Sequence, residues 1–198
     1  MEKEFYVVGI GASSGGLQSL SEFFSTLDAT LPFAIVLVTH LQADSHGKLD
    51  EILHSKSSMK VQRLDRDTAI KRGVIYVPVG HLSVTIENSM LCVSDKAGNE
   101  SNTADIFLGS LADNFKERAI GIILSGTGKD GLAGAKRISK NGGQVLVQEP
   151  FSALYQSLPR LVIKDDHPDK ILPAARLASW LNRKYGVVKD MGNSQVQH

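Results

Sequence analysis

The stretch Phe5-Tyr-Val-Val-Gly-Ile-Gly-Ala-Ser-Ser-Gly-Gly16 places a short apolar run directly before a turn rich in glycine and serine. The run is apolar at odd and even positions alike, which is typical of a strand buried on both faces of a parallel sheet, and we predict a strand over Phe5–Ile10. Apolar residues then recur at Leu17, Leu20 and Phe24, a spacing that predicts an amphipathic helix. Strand, glycine turn and helix in succession indicate the first half of a βαβ unit.

The same succession recurs further along the chain. Short apolar segments predict further buried strands at Phe33–Thr39, Ala119–Leu124 and Gln144–Val147. Helical apolar spacing follows the first two of these segments. Strands that alternate with helices predict an α/β fold, a doubly wound and mostly parallel sheet with helices on both faces.

The middle of the chain interrupts this rhythm. Ser83–Glu87 and Met90–Ser94 alternate in polarity around Asn88-Ser89, which predicts an antiparallel hairpin at one edge of the sheet. A helix from Thr103 to about Lys116 returns the chain to the core, and the apolar spacing near Asp169–Tyr185 predicts the last helix.

The composition of the 198 residues fits a single globular domain, with 42% apolar and 22% charged residues. We expect that domain over residues 1–188 and a flexible tail over residues 189–198. Lys+Arg number 22 and Asp+Glu 21, without a run of either sign, which argues against nucleic-acid binding. Apolar runs such as Phe33–Val38 are far shorter than the ~20 residues that span a bilayer, and the N-terminus carries no secretory signal pattern. We therefore expect a cytoplasmic protein without membrane insertion.

Catalytic side-chain types follow three of the predicted strands. Ser13 is the centre of a G-x-S-x-G turn after the first strand, His40 follows the second, and Asp130 lies in the loop after the third. Because the carboxyl ends of parallel strands meet at one edge of a sheet, we expect these groups to lie together. A hydroxyl, an imidazole and a carboxylate are the nucleophile, the general base and the group that orients the base in a serine hydrolase. Ser14 is the competing nucleophile, although it is not at the centre of the motif.

Two other interpretations stay open at this point. Gly126-Thr-Gly128-Lys-Asp-Gly131 lies between a strand and a helix, and Glu149 follows about 20 residues later, which is the layout of a dinucleotide-binding fingerprint. That interpretation leaves Ser13 and His40 unexplained. A non-catalytic binding module on the same scaffold is the other alternative.

The sequence predicts neither a metal nor a cofactor. His46, Asp50 and His54 share one helix face, but without a zinc-binding H-E-x-x-H pattern this face is interpreted as solvated. The single cysteine, Cys92, forms no internal disulfide and is interpreted as a small buried apolar residue.

Four motifs together carry a family resemblance. Ile10–Gly16, Thr39-His40-Leu, Leu124–Gly131 and Gln148-Glu-Pro, the last followed by Leu158-Pro159, resemble the catalytic domain of the chemotaxis protein-glutamate methylesterase. The motifs occur in the family's order over about residues 5–180. The sequence Ser125-Gly-Thr-Gly is most similar to that of methylesterase domains fused to a methyltransferase. No receiver domain precedes Phe5, so we expect either a part of a larger protein or another form of regulation.

The resemblance implies hydrolysis of γ-glutamyl methyl esters on the cytoplasmic domains of methyl-accepting chemoreceptors, deamidation of receptor glutamines in many members, and no cofactor. It implies Ser13 as nucleophile, His40 as base and Asp130 as the group that orients His40. The backbone amides near Ser14 and Thr127 are our candidates for an oxyanion hole. A methyltransferase domain, in this or another chain, is the further partner that the resemblance implies.

Cations at the rim of the cleft are expected from the acidic substrate. A receptor surface rich in acidic residues is matched best by positive charge, and Lys129 and Arg160 are the candidates.

Overall fold

A computed structural model describes residues 5–39, 46–80, 82–95 and 102–186 of the chain. The strands are β1 (Tyr6–Ala12), β2 (Phe33–Thr39), β3 (Lys60–Leu64), β4 (Thr68–Ala69), β5 (Val74–Pro78), β6 (Leu82–Glu87), β7 (Met90–Asp95), β8 (Ala119–Ile123), β9 (Gln144–Gln148) and β10 (Lys170–Leu172). The α-helices are α1 (Gly16–Phe24), α2 (His46–Lys56), α3 (Thr103–Phe115), α4 (Leu132–Lys140), α5 (Ser157–Asp165) and α6 (Ala174–Tyr185).

Seven strands form one sheet in the order β10-β9-β8-β1-β2-β5-β3, and every neighbouring pair is parallel. The order reverses direction on either side of β1, which is the signature of a doubly wound sheet. In the register, Ala12 lies beside Thr39 and Gly11 beside Ile123. The carboxyl ends of β1, β2 and β8 therefore lie side by side at one edge of the sheet, and the predicted fold class is confirmed.

The core has two apolar layers, one on each face of this sheet. One layer includes Phe107 of α3 and Ile138 of α4, and the other includes Phe23 of α1 and Leu177 of α6. The first layer comes unusually close to β1, since a methyl group built on Gly9 would lie 2.6 Å from Leu108 Cδ2. Glycine at this position lets α3 pack directly on the central strand.

The predicted antiparallel hairpin is present as β6 and β7. Asn88 and Ser89 in its turn have φ values of +48° and +63°, the left-handed conformation of a tight hairpin turn. With β4, which the sequence did not predict, the hairpin forms a small sheet of its own. Ile86 fastens this sheet to α3, because its N–H donates to Ser110 Oγ over 3.0 Å and its carbonyl accepts from Asn114 Nδ2 over 2.8 Å.

The C-terminal region differs from the sequence prediction. Ile171 and Leu172 do not begin the last helix but belong to β10, and α6 starts after Pro173. The physical reason is the proline, which disfavours helical backbone in the residue before it. The expected tail over 189–198 lies outside the described residues. Within the described ranges, no helix is long and apolar enough to cross a membrane.

Candidate active site

Ser13 lies in a tight turn between β1 and α1 that is fixed at both ends. Its N–H donates to the Ser125 carbonyl over 3.1 Å, and its own carbonyl accepts from the N–H of Gly16 over 2.9 Å. Gly15 has φ +73°, and a methyl group built on it would lie 2.6 Å from Ser125 Oγ. Gly15, the last glycine of the G-x-S-x-G pattern, is therefore required for two reasons: its backbone is left-handed, and two loops approach each other closely at this position.

The N-terminus of α1 is not neutralised by a side chain. No acidic residue lies in the first turn of α1, and Gly15 at the N-cap contributes no side-chain hydrogen bond. The positive end of the helix dipole favours negative charge beside Ser13.

Ser125 joins three loops at the edge of the sheet. Its side chain is fully buried, and its Oγ donates to the Ser14 carbonyl over 2.8 Å and accepts from the N–H of Tyr155 over 3.0 Å. Its own N–H donates to Oε1 of the buried Gln148 over 2.9 Å, and Gln148 Nε2 donates to the Ser152 carbonyl over 3.1 Å. The positions of the loops after β1, β8 and β9 are therefore mutually dependent. Sequence analysis did not assign these roles, although polar residues directly after apolar strands were a signal for them.

Asp130 is fixed by the first turn of α3 rather than by its own loop alone. Its two carboxylate oxygens accept from the N–H of Ala104 over 3.0 Å and from the N–H of Asp105 over 2.8 Å. These bonds place a carboxylate at the positive end of α3, where it is electrostatically favoured.

Asp105 makes the reverse contacts, and the sequence analysis did not predict it. Its Oδ1 accepts from the N–H groups of Gly131 and Gly134, each over 2.9 Å, at the start of α4. Burial raises the pKa of the Asp105 carboxyl above its ordinary value, the nearby charge of Asp130 adds to this effect, and the backbone hydrogen bonds oppose it.

Ser13 and Asp130 line one cleft. Thr127 and Lys129 line the same cleft, together with Asn102, Asp105 and Gly128. Ser14 lies next to it, since its Oγ is 3.4 Å from Thr127 Oγ1. The structure therefore brings together Ser13, Asp130, Ser14, Thr127 and Lys129, whose roles stay predictions.

The predicted base, His40, lies outside the described residues. The last described residue of β2 is Thr39, whose register partner on β1 is Ala12, the residue before Ser13. The role of His40 stays a prediction.

The two predicted oxyanion donors are available. Within the described ranges, no acceptor takes the backbone N–H of Ser14 or of Thr127, whereas the N–H of Ser13 is used by Ser125. Both amides are therefore unused donors at or next to the cleft, and their role as oxyanion donors stays a prediction.

Arg160 takes a different position from Lys129. It lies on α5, donates to Gln156 Oε1 over 2.8 Å and stacks with its guanidinium carbon 5.1 Å from the centre of the Phe151 ring. It does not belong to the residues that line the cleft.

The groups expected to bind a dinucleotide are already occupied. The pyrophosphate of such a ligand would need the free amides at the start of α4, where the Asp105 carboxylate is bound. The carboxylate of Glu149 accepts from the N–H groups of Phe151 and Ser152 instead of facing a ribose.

Asp50, on the predicted solvated helix face, pairs with Arg63 over 2.6 Å. Across the described ranges, no three His, Cys, Asp or Glu side chains are grouped to hold a metal ion.

A family model described as CheB methylesterase matches residues 8–181, most of the chain. The chain belongs to the CheB methylesterase family. The resemblance stated from the four motifs is thereby confirmed, and the serine-hydrolase interpretation is favoured over the dinucleotide-binding one.

Individual CheB relatives agree with the family model. A protein-glutamate methylesterase/protein-glutamine glutaminase of Thermotoga maritima is 31% identical over 181 residues, which cover 88% of this chain and 53% of that protein. A Leptospira interrogans protein, provisionally assigned the same two activities, is 28% identical over 182 residues that cover 90% of this chain and 94% of that protein. This chain thus spans about half the length of the Thermotoga relative and nearly all of the Leptospira one.

A solved CheB structure shows the same architecture. The crystal structure of the Thermotoga maritima CheB methylesterase catalytic domain superimposes with a TM-score of 0.80 at 29% identity, covering 91% of this chain and 99% of that one.

Proposed function

We propose that this chain is a serine methylesterase that hydrolyses γ-glutamyl methyl esters on the cytoplasmic domains of chemoreceptors. The observation that carries the proposal is the cleft shared by Ser13 and Asp130, whose loops leave the carboxyl ends of neighbouring parallel strands. The named activities of the CheB relatives supply the substrate class. Their second named activity, protein-glutamine glutaminase, extends the proposal to deamidation of receptor glutamines.

The proposed reaction has two steps. Ser13 Oγ attacks the ester carbonyl while His40 takes its proton, and the tetrahedral oxyanion accepts hydrogen bonds from the amides of Ser14 and Thr127. Collapse expels methanol, which receives its proton from His40, and leaves a glutamyl ester on Ser13. Water then attacks this acyl-enzyme with His40 as base, which releases the glutamate side chain and restores Ser13. Asp130 orients His40 throughout.

The surroundings of Ser13 support this scheme. The start of α1 carries no side-chain cap, so its dipole stabilises the developing oxyanion. Each well-placed oxyanion donor contributes about 3–4 kcal/mol to transition-state stabilisation in comparable sites. Deamidation follows the same course, with ammonia in place of methanol as the leaving group.

The substrate also determines the proposed partners. Chemoreceptor cytoplasmic domains place the reaction in the cytoplasm, and a methyltransferase, in this or another chain, must form the ester that is hydrolysed. Lys129 in the cleft is proposed to attract the acidic receptor surface.

The deciding experiment compares Ser13→Ala with Ser14→Ala. We expect Ser13→Ala to lose methanol release from methylated receptor by about a thousandfold or more, and to lose labelling by a serine-directed phosphonate. Ser14→Ala keeps its backbone amide and should stay within about tenfold of the wild type. A labelled, active Ser13→Ala protein beside an inactive Ser14→Ala protein would show that the nucleophile is Ser14.

Two further measurements separate the other function classes. Calorimetric titration with NAD and NADP should show no binding; micromolar binding that is lost in Gly128→Val, without esterase activity, would favour a dinucleotide-binding protein. A folded wild-type protein that neither reacts with the phosphonate nor hydrolyses methylated receptor would favour a non-catalytic binding module.

A further inference from the structure

Three large apolar side chains stand exposed in one short segment after β9. Phe151, Leu154 and Tyr155 have exposed fractions of 81%, 66% and 45%, and the fourth exposed large apolar residue of the described chain is Ile171 on β10. We name the first three the apolar ridge. Single exposed apolar residues are ordinary on protein surfaces, but a contiguous group of them marks an interaction site.

The apolar ridge adjoins the nucleophile loop. A methyl group built on Gly15 would lie 2.9 Å from Leu154 Cβ and 3.0 Å from Tyr155 Cδ2. Gly15 is two residues from Ser13, so Leu154 Cβ lies no more than about 12 Å from the Ser13 Cα. A macromolecular substrate that delivers a side chain to Ser13 must therefore lie over the ridge or directly beside it.

The ridge is held rigidly in place. The Tyr155 N–H donates to Ser125 Oγ over 3.0 Å, and the Tyr155 carbonyl accepts from the N–H of Gly126 over 3.1 Å. At the other end, Glu149 accepts from the N–H of Phe151 over 3.2 Å. Because its backbone is fixed before a partner arrives, the ridge loses little conformational entropy on binding.

Positive charge accompanies the ridge. Arg160 stacks on the Phe151 ring, and within the described part of the chain no carboxylate pairs with Arg160 or with Lys129 of the cleft. Glu149 is the nearest acidic group on the ridge segment, and its charge is turned to backbone amides. An apolar strip with an arginine beside it is complementary to a helix whose exposed face carries both apolar and acidic side chains.

We infer that the apolar ridge is the docking site for the substrate helix, and that it selects helices with an apolar side chain one or two turns from the esterified glutamate. This inference rests on the proposed methylesterase function. Leu154 Cβ lies within about 12 Å of the Ser13 Cα, a range that one or two helical turns of about 5 to 11 Å cover. Arg160 then meets an acidic residue of the same helix face.

The test uses Phe151→Ser and Leu154→Ser, with Ile171→Ser as the matched control. Each variant is assayed on a methylated chemoreceptor cytoplasmic fragment and on a small γ-glutamyl methyl ester. For each ridge variant we expect kcat/KM on the receptor fragment to fall by about tenfold, through KM, while hydrolysis of the small ester stays within twofold of the wild type. Ile171→Ser should match the wild type on both substrates.

Each other outcome is decisive. Unchanged receptor hydrolysis in both ridge variants overturns the inference and leaves the proposed function intact. Equal losses on both substrates would mean that the ridge supports the catalytic loops, and a wild-type dimer that dissociates on ridge substitution would mean that a second copy covers it; either overturns the inference. Wild-type protein that hydrolyses the small ester but not the receptor ester refutes the proposed substrate, and the inference with it.

Discussion

Asp105 and Asp130 each bind the first turn of the helix that belongs to the other. Asp130, in the loop before α4, accepts from amides at the start of α3, and Asp105, in the first turn of α3, accepts from amides at the start of α4. The two helix starts are therefore locked together by a reciprocal pair of carboxylates. The orientation of the proposed catalytic aspartate depends on a second helix and not only on its own loop.

Two substitutions of Asp105 should distinguish the effect of its hydrogen bonds to the start of α4 from the effect of its negative charge. Asp105→Asn keeps an Oδ1 that accepts from Gly131 and Gly134, whereas Asp105→Ala loses both bonds and should destabilise the fold by about 0.5–2 kcal/mol. Because the folded pKa of Asp105 is raised, the native state binds its proton more tightly than the unfolded state does. The contribution of Asp105 to stability therefore rises as pH falls through that pKa.

Thermal unfolding of the two variants and the wild type between pH 7 and pH 4 measures both effects. At pH 7 we expect Asp105→Asn to be clearly more stable than Asp105→Ala. As the pH falls, the stability of the wild type should rise relative to that of Asp105→Asn. Equal destabilisation by Asn and Ala at every pH would contradict the capping role.

Ser125 should behave as a positioning residue. Ser125→Ala leaves the Ser14 carbonyl and the Tyr155 N–H without their hydroxyl partner in a buried setting, so we expect a loss of about 1–3 kcal/mol in stability. Since the nucleophile turn is then less firmly held, kcat should fall about tenfold with KM unchanged, and phosphonate labelling should slow in parallel. Ser139→Ala is the control, because it removes a hydrogen bond to Asp166 away from the cleft. An equal fall in kcat for both variants would argue against positioning by Ser125.

Gly15 and Gly73 form a matched pair of glycines. Both have left-handed backbone, with φ of +73° and +80°, but a methyl group meets close neighbours only at Gly15. Gly73→Ala should cost about 1–2 kcal/mol from backbone strain alone. Gly15→Ala adds a clash with Ser125 and Leu154, so it should be destabilised further and lose most of its activity. Urea unfolding and ester hydrolysis measured on both variants check this, and equal effects would contradict the close packing around Gly15.

Lys129 should affect encounter with the receptor rather than chemistry. Lys129→Glu reverses a charge in the cleft, so demethylation of intact receptor should slow several-fold more than hydrolysis of a small neutral ester. Raising the salt concentration should make the slowing on the receptor more similar to the slowing on the small ester, because electrostatic attraction between the receptor and the cleft is screened beyond about 10 Å at 0.1 M. Arg160 lies outside the cleft lining. We expect Arg160→Glu, like Lys129→Glu, to slow demethylation of the receptor more than hydrolysis of the small ester. Equal slowing on both substrates would assign Lys129 to the support of the catalytic loop.

Tyr185 should make the protein less stable at high pH. Burial, with lesser effects of Tyr6 and Asp169, raises the pKa of Tyr185 to about 12, and its hydroxyl donates to Gln144 Oε1. An unfolded tyrosine loses its proton near pH 10, so between pH 10 and 12 the unfolded state is ionised while the native state is not. Stability therefore falls as the pH rises through this window. Urea unfolding from pH 9 to 11.5 should show a shallower fall for Tyr185→Phe than for the wild type; parallel curves would contradict this.

The fold was predictable where strands are apolar throughout and separated by helical spacing. Phe33–Thr39 was predicted with its observed bounds, because Phe33–Val38 is a short, continuous apolar run of the kind that forms a buried strand. β3 and β10 were missed for the opposite reason: both are edge strands with exposed residues, and their sequences show no clear alternation. Their strand state comes from pairing with β5 and β9, which a local pattern does not contain.

The site was predictable to the extent that strand ends determine it. Ser13 and Asp130 meet because β1 and β8 are parallel neighbours, a relation that the alternation of strands and helices already implied. Asp105 and Ser125 were not assigned, because their partners are backbone groups of loops far away in the sequence. Contacts of this kind depend on tertiary packing and leave no spacing to detect.

The strand that precedes the proposed nucleophile occupies the middle of the seven-stranded sheet, with three strands on each side. Fraying at either edge leaves β1 paired with both of its neighbours, so the strand that leads into the nucleophile turn stays in place when an edge strand opens. Denaturant that opens only an edge strand should therefore leave this strand, and the start of the turn that follows it, in the native position.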